Sequence, residues 1–151
     1  MSEFDLAVLG GGPGGYSAAL RASSGGLRVA LIEKGELGGS CLNRGCVPAK
    51  TWIAAAETMD HAKMMSSLCK EPFEYSVDFK KMRDRQVKIV SNFRKSVKTL
   101  LIKRGVEIFK GNGKFTAPNQ ILVDTGSGAD EIEFKNAIIA TGSAPLSLFD
   151  L

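Results

Sequence analysis

Two cysteines stand five residues apart, Cys41 and Cys46, and Lys50 follows four residues after the second. In an ideal α-helix their Cα atoms would lie roughly 8.7 Å apart, whereas a disulfide tolerates less than about 7 Å. If the two cysteines pair, the backbone between them must leave the helix, and Gly45 makes such a departure easy. A disulfide over so short a loop would be strained and readily reduced. The spacing predicts a redox-active dithiol.

The charge around Cys46 favours its thiolate. Cys46 is predicted to lie at the amino end of a helix, since Pro48 suits a first helical turn. The positive end of the helix dipole and the ammonium group of Lys50, one turn later, would both stabilise an anionic sulfur. The sequence thus places an anion stabiliser beside the dithiol.

Two other interpretations of the cysteines stay open. The three cysteines and His61 could supply zinc ligands, although the spacing from His61 to Cys69 fits no common zinc pattern. The thiols of the close pair could also be inert and buried, although the Gly and Asn beside them are not typical of a core. Cys69 itself is expected to be a buried free thiol, His61 a residue on a helix surface, and Met64 and Met65 core residues.

A second group of residues is typical of phosphate binding. Gly10, Gly12 and Gly15 form a G-x-G-x-x-G set between an apolar run, FDLAVL, and a predicted helix. These glycines permit a sharp turn, close approach of the backbone to a pyrophosphate and close packing of helix on strand, while free amides at the helix start hold the anion. Glu33 ends the next strand, where a carboxylate accepts from a ribose hydroxyl and disfavours a 2′-phosphate. The set predicts a dinucleotide-binding site but does not distinguish FAD from NAD. The alternative interpretation is a glycine-rich turn that binds no ligand.

The elements around these motifs alternate as in an α/β fold. Strands are predicted at Phe4–Leu9 and Leu27–Glu33, with a helix over Tyr16–Ser24 between them. Two longer helices are predicted from Thr51 to about Lys70 and over Asp78–Arg104. Short strand-like runs follow, VEIFKG, QILVD, EIEFK and AIIATG, the last of them a buried strand entering a glycine turn. We therefore predict one α/β domain with a parallel sheet, helices and a small antiparallel section.

Composition and charge narrow the class further. Hydrophobic residues make up 44% and charged residues 24%, as in globular domains. No apolar run approaches the roughly 18 residues of a membrane span, and the first residues are acidic, unlike a secretory signal, so a cytoplasmic location is expected. The net charge of +4 is concentrated in Asp78–Arg104, with ten basic and two acidic residues. Nucleic-acid binding by this helix is possible in principle, but a solvated face is favoured because Phe79 and Phe93 fall on its apolar stripe.

Four segments together resemble the amino-terminal FAD domain of the pyridine nucleotide-disulfide oxidoreductases: GGGPGGYSAALRAS, VALIEKGELGGSCLNRGCVPAK, GNGKF and AIIATGSAP. The resemblance covers the whole chain and implies an FAD/NAD(P)-binding Rossmann-like domain, with FAD as the cofactor of a thiol-disulfide oxidoreductase. CLNRGC favours the branch that oxidises dihydrolipoamide with NAD+ over the glutathione and mercuric reductases. Ser40 and Ala49 are mild departures, since the family more often has Thr at the first position and Ser or Thr at the second.

The resemblance also assigns roles to individual residues. Cys41 and Cys46 would be the catalytic pair, with Cys46 against the flavin and Cys41 exchanging with dihydrolipoamide. Lys50 would lie by the reactive flavin nitrogen, Glu33 would bind the adenosine ribose, and Gly113 would meet the adenine through its backbone. No metal is expected. The full set expected to bind the cofactor is Gly10, Gly12, Pro13, Gly14, Gly15, Glu33, Lys34, Gly39, Ser40, Cys41, Lys50, Gly113, Thr141, Gly142 and Ser143.

The chain departs from the family in length. Members continue after the ATGS turn into an NAD-binding domain, a central segment and a dimer-interface domain. The interface domain supplies a His and Glu acid-base pair to the partner subunit, and His61 of this chain matches no such motif. We expect residues 1–151 to be an incomplete amino-terminal FAD domain, unable by itself to turn over dihydrolipoamide. The whole protein would be a homodimer acting on dihydrolipoamide carried by the lipoyl domain of an acyltransferase or H-protein, with neither nucleic acid nor membrane as partner. A chain that only holds FAD weakly is the alternative.

Overall fold

The computed structural model describes residues 3–144 and 146. Along this described chain the elements are β1 (Phe4–Leu9), α1 (Pro13–Ser24), β2 (Val29–Glu33), α2 (Gly39–Arg44), α3 (Cys46–Leu68), α4 (Phe79–Lys103), β3 (Glu107–Lys110), β4 (Asn112–Ala117), β5 (Gln120–Asp124) and β6 (Ala129–Ile139). They form two compact units. The first comprises the chain up to Gly39 and from Ser96 onward, and the second comprises Ser40–Lys95.

The first unit is built on a mixed sheet. Within the described residues its six strands have the order β3-β2-β1-β6-β5-β4. β3, β2, β1 and β6 run parallel, and β5 and β4 extend the sheet in antiparallel pairs. β6 belongs to both parts, because its first half pairs with β5 and its second half pairs with β1. The predicted α/β fold, with a parallel sheet and a small antiparallel section, is confirmed.

Apolar side chains cover both faces of the parallel strands. Successive residues of β1 and β2 point to opposite faces, so Ala7, Ala30 and Ile32 join one cluster while Leu6, Val8, Val29 and Leu31 join the other. The first cluster continues into the antiparallel strands through Ile121 and Phe134. The second is covered by Ala19 of α1 and Leu101 of α4. Burial on both faces explains why β1 and β2 are nearly continuous apolar runs.

Several element boundaries differ from the prediction. α1 begins at Pro13 rather than Tyr16, because a proline fits the first helical turn. The runs EIEFK and AIIATG, predicted as two strands, form the single strand β6. β4 was not predicted as a strand, since its sequence NGKFTA begins with turn-forming residues.

The second half of β6 is more exposed than predicted. Ile139 is 68% exposed and Ile138 38% exposed, although AIIATG was expected to be buried. In the part of the chain that the structure describes, β1 pairs with residues 134–139 on one side, whereas the pairing with β5 ends at Glu133. The strand therefore has an open edge there, which leaves these isoleucines accessible to solvent.

The second unit is formed by helices. Trp52 of α3 stacks on Phe79 of α4, with 6.3 Å between ring centroids, and its indole N–H donates to Gln86 at 3.1 Å. The segment between the helices lies along α3, because the Tyr75 hydroxyl donates to the Met59 carbonyl at 2.7 Å. None of the helices in the described residues is both long and apolar enough to cross a bilayer.

Three side chains predicted to be buried in this unit are exposed. Met64 and Met65 are 55% and 54% exposed, and the Cys69 thiol is exposed as well. Phe93, on the predicted apolar stripe of α4, is 51% exposed. A unit of few helices buries only the residues between them, so apolar residues on the outer faces remain in solvent. His61 lies on the surface of α3, as predicted.

Candidate functional site

The glycine set forms the turn between β1 and α1. Gly10 has a φ of 108°, and a Cβ there would lie 2.3 Å from the carbonyl oxygen of Ala140. A Cβ at Gly15 would lie 1.8 Å from the carbonyl oxygen of Gly10. Both positions therefore exclude any side chain, and the first turn of α1 packs directly on the ends of β1 and β6.

The start of α1 presents free backbone amides. Gly12 is the N-cap and makes no side-chain capping bond, and no acidic residue lies in the first turn. The amides of Gly14 and Gly15 lie in this first turn, where N–H groups have no intrahelical acceptor. Their orientation and the helix dipole favour an anion at this position.

The chain returns to this turn at Gly39. A Cβ at Gly39 would lie 2.8 Å from the Cα of Gly12 and 3.1 Å from the Cδ of Pro13. The adjacent Gly38 N–H donates to the Gly11 carbonyl at 2.8 Å. The two glycine segments are thus in backbone contact, and the structure brings Gly39 together with Gly12 and Pro13 as the prediction requires.

A cleft opens beside the glycine turn, at the carboxyl ends of β1 and β2. Its lining includes five of the residues expected to bind the cofactor, Gly10, Glu33, Lys34, Gly113 and Thr141. Four further lining residues were not predicted, Leu9, Ile32, Gly111 and Asn112. Each of the four lies one or two positions from a predicted residue, so extending each motif by that much would have found them.

Glu33 is fixed by two backbone amides. Its Oε2 accepts from the Gly11 N–H at 2.6 Å, and its Oε1 accepts from the Gly35 N–H at 2.7 Å. Each carboxylate oxygen has a further lone pair, so the group can still accept hydrogen bonds from hydroxyls in the cleft. The negative charge would repel a phosphate at the same place.

The far side of the cleft is backbone. A Cβ at Gly113 would lie 2.5 Å from the Cδ1 of Leu9, so a side chain here would require the Leu9 side chain to move. Thr141 follows β6 and lines the cleft, and the preceding Ala140 N–H donates to the Leu9 carbonyl at 2.8 Å. Gly142, with a φ of 74°, and Ser143 follow on the exposed side.

The remaining predicted residues, Ser40, Cys41, Cys46 and Lys50, belong to the second unit. Cys46 is the first residue of α3, and Gly45 separates it from α2 with a φ of −124° and a ψ of −104°. This conformation is not helical, as the sequence predicted. A Cβ at Gly45 would lie 3.5 Å from the Cα of Cys41, so the break folds the chain closely on itself.

The break brings the two sulfurs together as a dithiol. Cys41 and Cys46 are free thiols whose side chains lie close enough to interact, Cys41 half-buried and Cys46 exposed. The pKa of Cys41 is raised above its ordinary value, first because of this interaction with the Cys46 side chain and then because of desolvation and the charge of Cys46. The Cys46 backbone and the Lys50 ammonium act in the opposite direction. The Cys41 thiol therefore keeps its proton to a higher pH than an isolated cysteine does.

The titration of Cys41 tests this arrangement. Replacing Cys46 by Ala removes the side-chain group that raises the pKa of Cys41, so Cys41 should become a thiolate at lower pH. At about pH 8, where Cys41 is mostly protonated in both the variant and wild type, Cys41 should then be alkylated severalfold faster in the variant, because only the thiolate reacts. Peptide mass spectrometry after iodoacetamide treatment across a pH series, in a Cys69→Ser background, measures the rate. Lys50→Met is the opposing control and should slow alkylation. A Cys46→Ala rate equal to wild type would contradict the interaction between the two cysteine side chains.

The zinc interpretation of the cysteines has no cluster to support it. Among residues 3–144 and 146, no three His, Cys, Asp or Glu side chains come together to hold a metal ion.

The sequence profile of the pyridine nucleotide-disulphide oxidoreductases matches residues 4–150, and the chain belongs to this family of FAD-binding flavoproteins. It is similar to the dihydrolipoyl dehydrogenase of Geobacillus stearothermophilus, with 41% identity over 97% of this chain and 31% of the relative. The dihydrolipoyl dehydrogenase of Zymomonas mobilis is 43% identical over 93% of this chain and 30% of its own length.

A solved structure shows the same fold. An HOCl-induced flavoprotein disulfide reductase from Escherichia coli, determined as its Cu(II) complex, superposes with a TM-score of 0.78 and 25% sequence identity, covering 97% of this chain and 30% of that protein. This chain therefore spans 30% to 31% of the length of these relatives.

Proposed function

We propose that the whole protein is a dihydrolipoyl dehydrogenase, which oxidises dihydrolipoamide to lipoamide and reduces NAD+ to NADH, and that this chain supplies its FAD half-site and redox dithiol. The observation that carries the proposal is the close pair of free thiols, Cys41 and Cys46, on either side of the break at Gly45. The 41% and 43% identity to dihydrolipoyl dehydrogenases supports this branch of the family.

The residues of the first unit fit the ADP part of FAD. The amides of Gly14 and Gly15 would hold the pyrophosphate beside Gly12, Pro13 and Gly39, where a Cβ on Gly39 would collide with Gly12. Glu33 would accept from the ribose hydroxyls, beside Gly10 and Lys34, and Gly113 would offer its backbone to the adenine. Residues proposed to contact the rest of the cofactor are Ser40, Cys41, Lys50, Thr141, Gly142 and Ser143. When bound, FAD supplies two-electron chemistry between a dithiol and a nicotinamide.

The dithiol would carry the exchange with substrate. A dihydrolipoamide thiolate attacks the Cys41 sulfur of the oxidised pair, and Cys46 leaves as a thiolate. The second substrate thiol then attacks the mixed disulfide, which releases lipoamide and the Cys41 thiol. The substrate loses two electrons and two protons, and the cysteine pair gains them. The start of α3 would stabilise the leaving thiolate at Cys46.

The remainder of the protein is part of the proposal. We expect an NAD-binding domain, a central segment and a dimer-interface domain, the last supplying the acid-base pair from the partner subunit. The open edge of β6, with Ile138 and Ile139 exposed, supports further chain against this strand. The protein would be a cytoplasmic homodimer and would receive dihydrolipoamide from the lipoyl domain of an acyltransferase or H-protein.

Two measurements on the purified chain test the proposal. FAD fluorescence should be quenched on titration, and the oxidised cysteine pair should be reduced by dihydrolipoamide faster than by glutathione at equal thiol concentration. Failure of both would overturn it, and equal rates with the two thiols would favour another flavoprotein disulfide reductase. Residues 1–151 alone should produce no sustained NADH from dihydrolipoamide and NAD+; sustained NADH production would contradict the proposed role of the other domains.

Glu33 provides a quantitative test of the FAD half-site. Glu33→Ala leaves the amides of Gly11 and Gly35 without their acceptor and removes the acceptor proposed for the ribose. Charge-assisted hydrogen bonds contribute about 1.5 to 3 kcal/mol, so FAD should bind about 10- to 100-fold more weakly. Fluorescence titration measures the affinity, with Glu57→Gln on the exposed surface of α3 as the control. An affinity for FAD within about twofold of wild type would contradict this role.

A further inference from the structure

A Cys41–Cys46 disulfide would close a loop made of the last residues of α2 and Gly45, and the neighbouring long helix holds this segment. The Nε of Arg94, on α4, donates a hydrogen bond to the Oδ1 of Asn43. Asn43 lies between Cys41 and Cys46, and both partners of this bond are half-buried and belong to the second unit. Because the donor is a guanidinium, the hydrogen bond is stronger than one between neutral groups. No sequence motif marks Arg94, which is 51 residues from Asn43.

This hydrogen bond acts differently on the two redox forms. In the disulfide form the covalent bond itself restrains residues 42–45, whereas in the dithiol form these residues are held by weaker contacts. Gly45, the residue with the most backbone freedom, lies in this loop. A bond from Arg94 to Asn43 therefore restricts the dithiol more than the disulfide, and it lowers the conformational entropy that is lost when the disulfide closes.

We propose that Arg94 is a positioning residue for the dithiol. Through Asn43 it holds the loop in the conformation in which the two sulfurs meet, and it thereby favours the Cys41–Cys46 disulfide and makes its reduction potential more negative. The inference rests on the proposed function for the redox activity of this pair, and it requires neither bound FAD nor NAD.

The hydrogen bond from Arg94 and the positive charge of Arg94 can be tested separately. A cation can act on the dithiol through its charge alone, as the Lys50 ammonium does when its field lowers the pKa of Cys41. Arg94→Lys keeps a positive charge on α4 but loses the planar guanidinium that donates to Asn43. If positioning is the cause, Arg94→Lys should behave like the uncharged Arg94→Met.

The equilibrium with glutathione measures the proposal. One oxidised glutathione converts the Cys41 and Cys46 thiols into their disulfide and yields two reduced glutathiones, so electrons and protons balance. In a Cys69→Ser background, anaerobic incubation over a range of glutathione ratios, acid quench, alkylation and mass spectrometry give the equilibrium constant. The equilibrium constant should fall by about tenfold in each of three variants, Arg94→Met, Arg94→Lys and Asn43→Ala. This fall corresponds to a reduction potential of the cysteine pair about 30 mV less negative.

The controls decide between positioning and a general disturbance. The Arg94→Met/Asn43→Ala double variant should show no larger effect than either single variant, because both remove the same hydrogen bond. Asn43→Asp keeps an acceptor and should stay within about threefold of the parent, and Arg85→Met, an exposed arginine on the same helix, should leave the constant unchanged. Circular dichroism verifies that each variant is folded.

The outcomes separate this inference from the proposed function. A parent protein that forms no Cys41–Cys46 disulfide at any glutathione ratio would overturn the proposed function. If the parent and Arg94→Met form the disulfide with the same equilibrium constant, only the positioning role of Arg94 would be overturned. Additive effects in the Arg94→Met/Asn43→Ala double variant would have the same consequence.

Discussion

Replacing Gly15 by alanine should abolish FAD binding and destabilise the chain by about 3 kcal/mol, at the upper end of the cost of overpacking. The added methyl group would lie 1.8 Å from the Gly10 carbonyl oxygen, which is backbone and cannot rotate away. The start of α1 would have to move off the end of β1, and the amides proposed to hold the pyrophosphate would move with it. Urea unfolding followed by circular dichroism measures the first effect, and FAD fluorescence measures the second.

Gly14 is the matched control for this experiment. It lies in the same helical turn, but a Cβ at this position would meet nothing within 4 Å. Gly14→Ala should leave stability unchanged or raise it by up to about 1 kcal/mol, since alanine is the better helix former. If Gly15→Ala retained the stability of wild type, the close packing of α1 on the strand ends would be wrong.

Replacing Cys46 by serine should abolish the intramolecular redox reaction of the chain. On incubation of wild type with excess oxidised glutathione, two of the three thiols, those of Cys41 and Cys46, should be lost to an intramolecular disulfide. Cys69 should remain outside this disulfide. Cys46→Ser removes the sulfur with which Cys41 would pair, so no disulfide can close between these two positions. In the whole protein the same change should eliminate measurable oxidation of dihydrolipoamide. Thiol counting by alkylation mass spectrometry, after removal of mixed disulfides, checks the first result.

Cys69→Ser distinguishes the dithiol from general cysteine loss. Its thiol is exposed and lies at the carboxyl end of α3, so its removal should leave formation of the Cys41–Cys46 disulfide unchanged. A disulfide between Cys69 and either member of the pair in wild type would contradict the assignment of the redox centre.

The sequence predicted those features that depend on local geometry. The break at Gly45 follows from the distance that five helical residues impose on two cysteines, and Glu33 is located by the end of an apolar strand. The glycine turn is predicted for the same reason, since the close contact of Gly15 with the Gly10 carbonyl lies within one β-turn-α unit.

Features that depend on distant partners were not predicted. The apolar periodicity of α3 and α4 cannot show which faces are covered, so the exposure of Met64, Met65 and Cys69 was missed. β6 was divided in two because its halves have different neighbours and different patterns, an alternating half beside β5 and an apolar half beside β1. The contact of Arg94 with Asn43 joins residues far apart in sequence, and no pattern marks it.

The position of Trp52 makes the folding of the second unit separately observable. It is the single tryptophan of the chain, and it is stacked on Phe79 within that unit. Its emission under selective excitation therefore reports the melting of the helical segment, whereas far-ultraviolet ellipticity reports the loss of secondary structure in both units. Denaturation curves that coincide for the two signals would identify one cooperative transition, and curves that separate would give each segment its own midpoint.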